Sequence, residues 1–66
     1  MEITEWQKIL YRCFYSDKNV SLCITLKNGR IFTAIKVEYI KEDMVWLMLQ
    51  DSTYEKFEFD EIENAE

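Results

Sequence analysis

Histidine and proline are absent from this chain, glycine occurs once, at Gly29, and cysteine twice, at Cys13 and Cys23. Without an imidazole there is no side chain poised to exchange a proton near neutral pH, and neither a Ser-His-Asp nor a Cys-His arrangement can be assembled within one chain. A tetrahedral zinc site takes about four nitrogen or sulfur ligands, and two thiols without Cys-x-x-Cys spacing fall short of it. A phosphate-cradling loop needs several glycines for close backbone approach, which Gly29 alone does not supply. No catalytic residue, metal or cofactor is expected, and the chain is read as a non-enzyme.

Long apolar runs are missing too. The longest, Met44 to Leu49, is far short of the roughly 20 residues that cross a bilayer. The segment Met1-Glu2-Ile3-Thr4-Glu5 lacks the basic stretch that opens a signal peptide. The expectation is a cytoplasmic protein without membrane contact, its thiols reduced, of a size and style that suit a bacterial or phage source. With 48% apolar and 15% aromatic residues in a length of 66, the chain is too apolar for disorder and long enough for a single domain, residues 1–66.

What is present reads first as a helix over about 4–16. Trp6, Ile9, Leu10, Cys13 and Phe14 share one face, with Tyr11 and Tyr15 at its edge. Thr4 followed by Gln7 has capping-box spacing, in which hydroxyl and amide satisfy two orphaned backbone donors. Ser16-Asp17-Lys18-Asn19 should end the helix. The period then changes from 3.6 to 2: Val20, Leu22, Ile24 and Leu26 alternate with smaller or polar residues, as in a strand with one buried face.

Asn28-Gly29 is the strongest short hairpin signal, read here as a two-residue turn with positive φ at both positions. Counted from that turn, Leu26 faces Ile31, Ile24 faces Thr33, Leu22 faces Ile35 and Val20 faces Val37, which makes nearly every inward position apolar. Strands are expected at about 20–27, 30–39, 44–50 and 54–59, with a short fifth at 61–63 and a frayed Glu63-Asn64-Ala65-Glu66. Phe57 and Phe59 should share a face. The third strand is apolar on both faces, so that Val45, Leu47 and Leu49 meet the interior while Met44, Trp46 and Met48, beside Phe32 and Ala34, need a cover. The helix is the expected cover; without it these side chains form an exposed apolar patch. Cys13 and Cys23 are expected to serve packing, Cys23 on the covered face of the sheet.

The fold class expected is α+β: an N-terminal helix followed by a four- to five-stranded antiparallel meander forming a small open barrel. Leu22-x-Ile24-x-Leu26-Lys27-Asn28-Gly29-Arg30-x-Phe32 is similar to the first hairpin of Sm-like proteins, and the whole layout resembles the Sm-like and SH3-like small barrels. Helix, hairpin and the ending Phe57-x-Phe59-x-x-Ile62 also resemble the Rof-type inhibitors of the transcription terminator Rho and the YolD-like family. Two departures stand out. Ala34 occupies the place where Sm proteins usually carry a glycine that lets the second strand bend, and Asp43-Met44-Val45 lacks the asparagine of their base-binding pair. The resemblance thus implies a fold, and the acidic protein-binding habit of the Rof type, but not the Sm RNA pocket.

The net charge of −5 divides unevenly. Residues 18–41 carry +4, Glu42 and Asp43 carry −2, and residues 51–66 carry −6. Glu55, Glu58, Asp60, Glu61 and Glu63 form a candidate face for a basic protein partner, with the plainer alternative that they keep an edge strand soluble. Trp46, Phe32 and Tyr15 are candidate aromatic contacts. A competing reading places nucleic acid on Lys27, Arg30 and Lys36, with Phe32 on the same outer face as Lys36 to stack on a base. The leading expectation is an acidic interaction module that regulates or inhibits a partner with a basic or nucleic-acid-binding surface. Self-assembly through open strand edges is a third use.

Overall fold

Helix α1 runs Glu5–Ser16 and starts where its capping chemistry requires. In the computed structural model, which describes residues 3–16 and 18–66, the Thr4 N–H donates to Gln7 Oε1 at 2.9 Å and the Gln7 N–H to Thr4 Oγ1 at 3.3 Å. The helix stops at Ser16, whose hydroxyl donates to the Cys13 carbonyl. Asp17 of the expected stop lies outside the described residues, as do Met1 and Glu2.

Five antiparallel strands follow: β1 Leu22–Leu26, β2 Ile31–Lys41, β3 Met44–Leu49, β4 Tyr54–Glu58 and β5 Ile62–Ala65. They form one sheet in the order β4-β3-β2-β1-β5. A single 3-10 turn, Phe59–Glu61, carries the chain from β4 to β5 at the opposite edge. The helix-plus-five-strand layout and the open antiparallel sheet agree with the expected fold class. The sheet curls: Phe32 of β2 stacks on Phe57 of β4 with ring centroids 5.2 Å apart, although β3 separates those strands.

The register of the first hairpin differs from expectation by one residue. Leu22 pairs with Ala34, Cys23 with Thr33, Ile24 with Phe32 and Thr25 with Ile31. The cause is the turn. Leu26 N–H donates to the Arg30 carbonyl and Gly29 N–H to the Leu26 carbonyl, so the loop has three residues, Lys27-Asn28-Gly29, with Gly29 at φ 94°. A three-residue loop closed by a left-handed glycine adds one residue relative to the two-residue turn. The slip sends Phe32 and Ala34 inward, while Ile31 becomes 65% exposed.

Beyond Ala34 the alternation breaks twice, with irregularities between Ala34 and Lys36 and between Val37 and Tyr39. Each inserts a residue, so the inward positions of β2 are Phe32, Ala34, Val37 and Ile40. The strand bends there without the glycine that Sm proteins use; Ala34 sits fully buried at the first bend. Leu22, Ile24 and Leu26 face Val45, Leu47 and Phe57 in the same core.

Four further expectations are corrected. Helix α1 packs chiefly on β2 and β5, with Leu10 buried in the core, and it is not the lid of the Met44, Trp46 and Met48 row. Phe59 leaves the strand for the 3-10 turn and packs under Trp6 and Tyr11 at centroid distances of 5.8 and 6.2 Å. The C-terminus is paired rather than frayed: Ile24 pairs with Ala65, and Glu66 and Cys23 exchange backbone hydrogen bonds. Ile62 and Ala65, each 1% exposed, are the apolar reason. Cys23, expected under a cover, is exposed.

Candidate interaction surfaces

The 3-10 turn carries the acids. Glu58 and Glu61 are tied into it: the Glu58 N–H donates to Glu61 Oε2 at 2.8 Å, and the Glu61 N–H donates in turn to the Glu58 carboxylate. These two carboxylates cap local structure before they do anything else. Asp60 and Glu63 are exposed and have no side-chain hydrogen bond or ion pair among the described residues. The Phe59 N–H donates to the Asp43 carbonyl at 2.7 Å, which seats the turn between β2 and β3, Glu42-Asp43, beside Glu58 and Asp60. Two acidic segments remote in the chain thus share one end of the sheet. No three of their carboxylates converge as a chelating group among the described residues.

Glu55 belongs elsewhere. Its carboxylate takes Arg30 Nη1 at 3.1 Å and Nη2 at 2.6 Å in a two-pronged bridge. The Arg30 guanidinium also lies 4.9 Å from the centre of the Phe32 ring, and the hydrogen bonds it donates to Glu55 push its already high pKa further up. Arg30, Phe32, Phe57 and Glu55 form one stack linking the start of β2 to β4. A residue from each rival site is therefore spent on the other. Phe32 lies on the inner face, not on the outer face with Lys36, because of the one-residue slip. Lys36 is half-buried and bridges Glu38 at 3.5 Å, and Lys27 is exposed with its backbone N–H on the Glu61 carbonyl.

The aromatic candidates separate as well. Trp46 is half-buried on the outer face of β3, opposite Tyr39 and Lys56. Tyr15, 78% exposed, stacks on Tyr11 and leans on Phe14. Phe14 meets Tyr39 edge-on at 5.8 Å, and Tyr39 meets Trp46 at 5.7 Å. A continuous run of rings thus joins Trp6 and Phe59 to Trp46. From the sequence, Tyr11, Tyr15 and Tyr39 are candidates for an amphipathic rim, and the second bulge of β2 sets Tyr39 between Phe14 and Trp46.

No protein-family model, curated protein or solved structure matches the chain. Its surfaces must be read from their own chemistry. Among the described residues no helix is long and apolar enough to cross a membrane.

Proposed function

We propose that the protein is a non-catalytic cytoplasmic interaction module whose acidic end docks on a basic surface of a macromolecular partner and regulates or inhibits it. The observation that carries this reading is the bond between the Phe59 N–H and the Asp43 carbonyl, which gathers Glu42, Asp43 and Asp60 at one end of the sheet, while Glu63 lies on β5 at the other edge. A field of one sign on one end steers a partner of the opposite sign. The exposed Tyr15 and half-buried Trp46 supply rigid contact area of the kind that anchors interfaces. Free thiols at Cys13 and Cys23 suit a reducing compartment. A kinship with the Rof type fits this mode of action. The nucleic-acid reading has less support, because Arg30 is engaged by Glu55 and Phe32 faces inward.

The test is capture from an extract of the native host by the tagged protein and by a variant with Glu42, Asp43 and Asp60 changed to lysine. Glu58 and Glu61 are left in place because they cap the 3-10 turn. The variant should lose a basic partner that the wild type retains; equal retention by both removes the acidic end from the mechanism. Self-assembly is a second reading, favoured by the two open edges, β4 and β5. A purely monomeric sedimentation profile at micromolar concentration disposes of it.

A further inference from the structure

Strand β2 is nearly twice as long as its partner β3, running Ile31–Lys41 against Met44–Leu49. The ladder between them ends at the pair Ala34 and Leu49. Ile31, Phe32 and Thr33 consequently pair with β1 on one side and have no β3 residue opposite them on the other. This overhang is about 10 Å long at roughly 3.3 Å per residue.

Backbone direction follows from the hairpin. The Leu26 N–H bonds the Arg30 carbonyl, and Ile24 pairs with Phe32. In an antiparallel ladder the bonded pairs alternate, so Phe32 turns its amide and carbonyl toward β1, and Ile31 turns its own the other way. They point into a cleft of about 490 Å³ whose walls are Ile31, Phe32 and Thr33 on one side and Leu49, Gln50 and Asp51 on the other. Its apolar surface is Ile31, 65% exposed, with the half-buried Phe32 and Leu49. Its one charged side chain is Asp51, held by hydrogen bonds from the Thr53 amide and hydroxyl.

We infer that this cleft is a β-augmentation site, which takes an extended peptide segment of a partner as an added strand along Ile31–Thr33, with apolar side chains at alternate positions and a lysine or arginine beside Asp51. The outward amide and carbonyl of Ile31 supply directional hydrogen bonds that an extended peptide matches at every second residue. Phe32 and Leu49 receive one alternating row of side chains, since successive residues of a strand point to opposite faces. Asp51 selects a cation on the other row. The site is distinct from the acidic end at Glu42-Asp43 and Asp60, so either can fail without the other.

A short alternating lysine and valine peptide, acetylated and amidated at its ends, is the probe, added to the isotope-labelled full chain and followed by NMR. Amide shifts should concentrate on Ile31–Thr33 and Leu49–Asp51, with slowed hydrogen exchange at Ile31. The same peptide N-methylated at alternate residues keeps its charge and side chains but loses the donors on its edge, and should bind at least tenfold more weakly. On the protein, Ile31→Pro removes an amide that serves no β1 bond and is tolerated at an edge; it should weaken the unmethylated peptide similarly. Equal binding of the methylated peptide, or shifts confined to the acidic end, overturns the proposal. So does the absence of any shift in the cleft up to millimolar peptide. Concentration-dependent shifts in the cleft without peptide would assign it to a second copy of the chain instead.

Discussion

Gly29 and Ser52 occupy the same position in two turns of one kind. Around Ser52 the Leu49 N–H donates to the Thr53 carbonyl and the Ser52 N–H to the Leu49 carbonyl, as Leu26, Gly29 and Arg30 do in the first hairpin. Asn28 and Asp51 each accept the amide two residues on. Ser52 holds φ at 69° and Glu42, in the turn between β2 and β3, holds 56°, where a side chain is disfavoured and glycine is not. Ser52→Gly and Glu42→Gly should each raise the urea-derived unfolding free energy by about 0.5 to 1 kcal/mol. Gly29→Ala should lower it by about 1 kcal/mol, although a methyl there meets nothing within 4 Å, because the cost is conformational.

Asp51 and the thiols carry the pH and reactivity predictions at the same scale. The Thr53 hydroxyl and amide hold the Asp51 carboxyl below the ordinary aspartate value. A depressed folded value contributes stability that is present above the unfolded pKa, ~3.9, and is lost as pH falls through the folded one. The NMR titration midpoint of Asp51 should lie below that value; a midpoint at or above it contradicts the turn geometry. Cys23, exposed, should alkylate quickly in the native state. Cys13, half-buried with its thiol pushed up by burial despite nearby Arg12, should lag well behind.

At the scale of elements, the helix stands on local chemistry and one buried side chain. Leu10 is 0% exposed, and Leu10→Ala should cost about 2 to 5 kcal/mol in thermal or chemical denaturation. That is comparable with the whole stability of so small a domain. Thr4→Ala should cost about 1 kcal/mol through the lost cap. The helix, its start and its apolar face were legible because capping and 3.6-residue periodicity are local. The hairpin was legible as a hairpin but not in register, because Asn28-Gly29 suits both a two- and a three-residue loop and the apolar count favoured the wrong one. Two bulges in β2 hid the inward place of Ile40 from a period of 2. The pairing of Ala65 with Ile24 was hidden because the polar letters around it describe an edge strand as well as a frayed end.

Over the whole molecule, linear charge counts located the acids but not their grouping. The contact between Phe59 and Asp43 joins two acidic segments, while the bridge from Arg30 to Glu55 withdraws one cation and one anion from competition for partners. That bridge is solvent-accessible, so its coupling in a double-mutant cycle should be small and should shrink with added salt. Acid residues on both edge strands, including Glu58 on β4 and Glu63 on β5, also guard the sheet against unwanted pairing. The proposed recognition surface and the guard on the edges thus draw on the same kind of residue.

The proposed function places recognition at the acidic end and no nucleic acid on the hairpin. The most direct measurement is a pair of NMR titrations of the labelled chain, one with oligoarginine and one with oligouridine at low salt. Oligoarginine should shift the amides of Glu42, Asp43 and Asp60 and release as salt rises, and oligouridine should leave Lys27, Arg30 and Lys36 unmoved. Shifts at those three residues with oligouridine, together with none at the acidic end with oligoarginine, would contradict it.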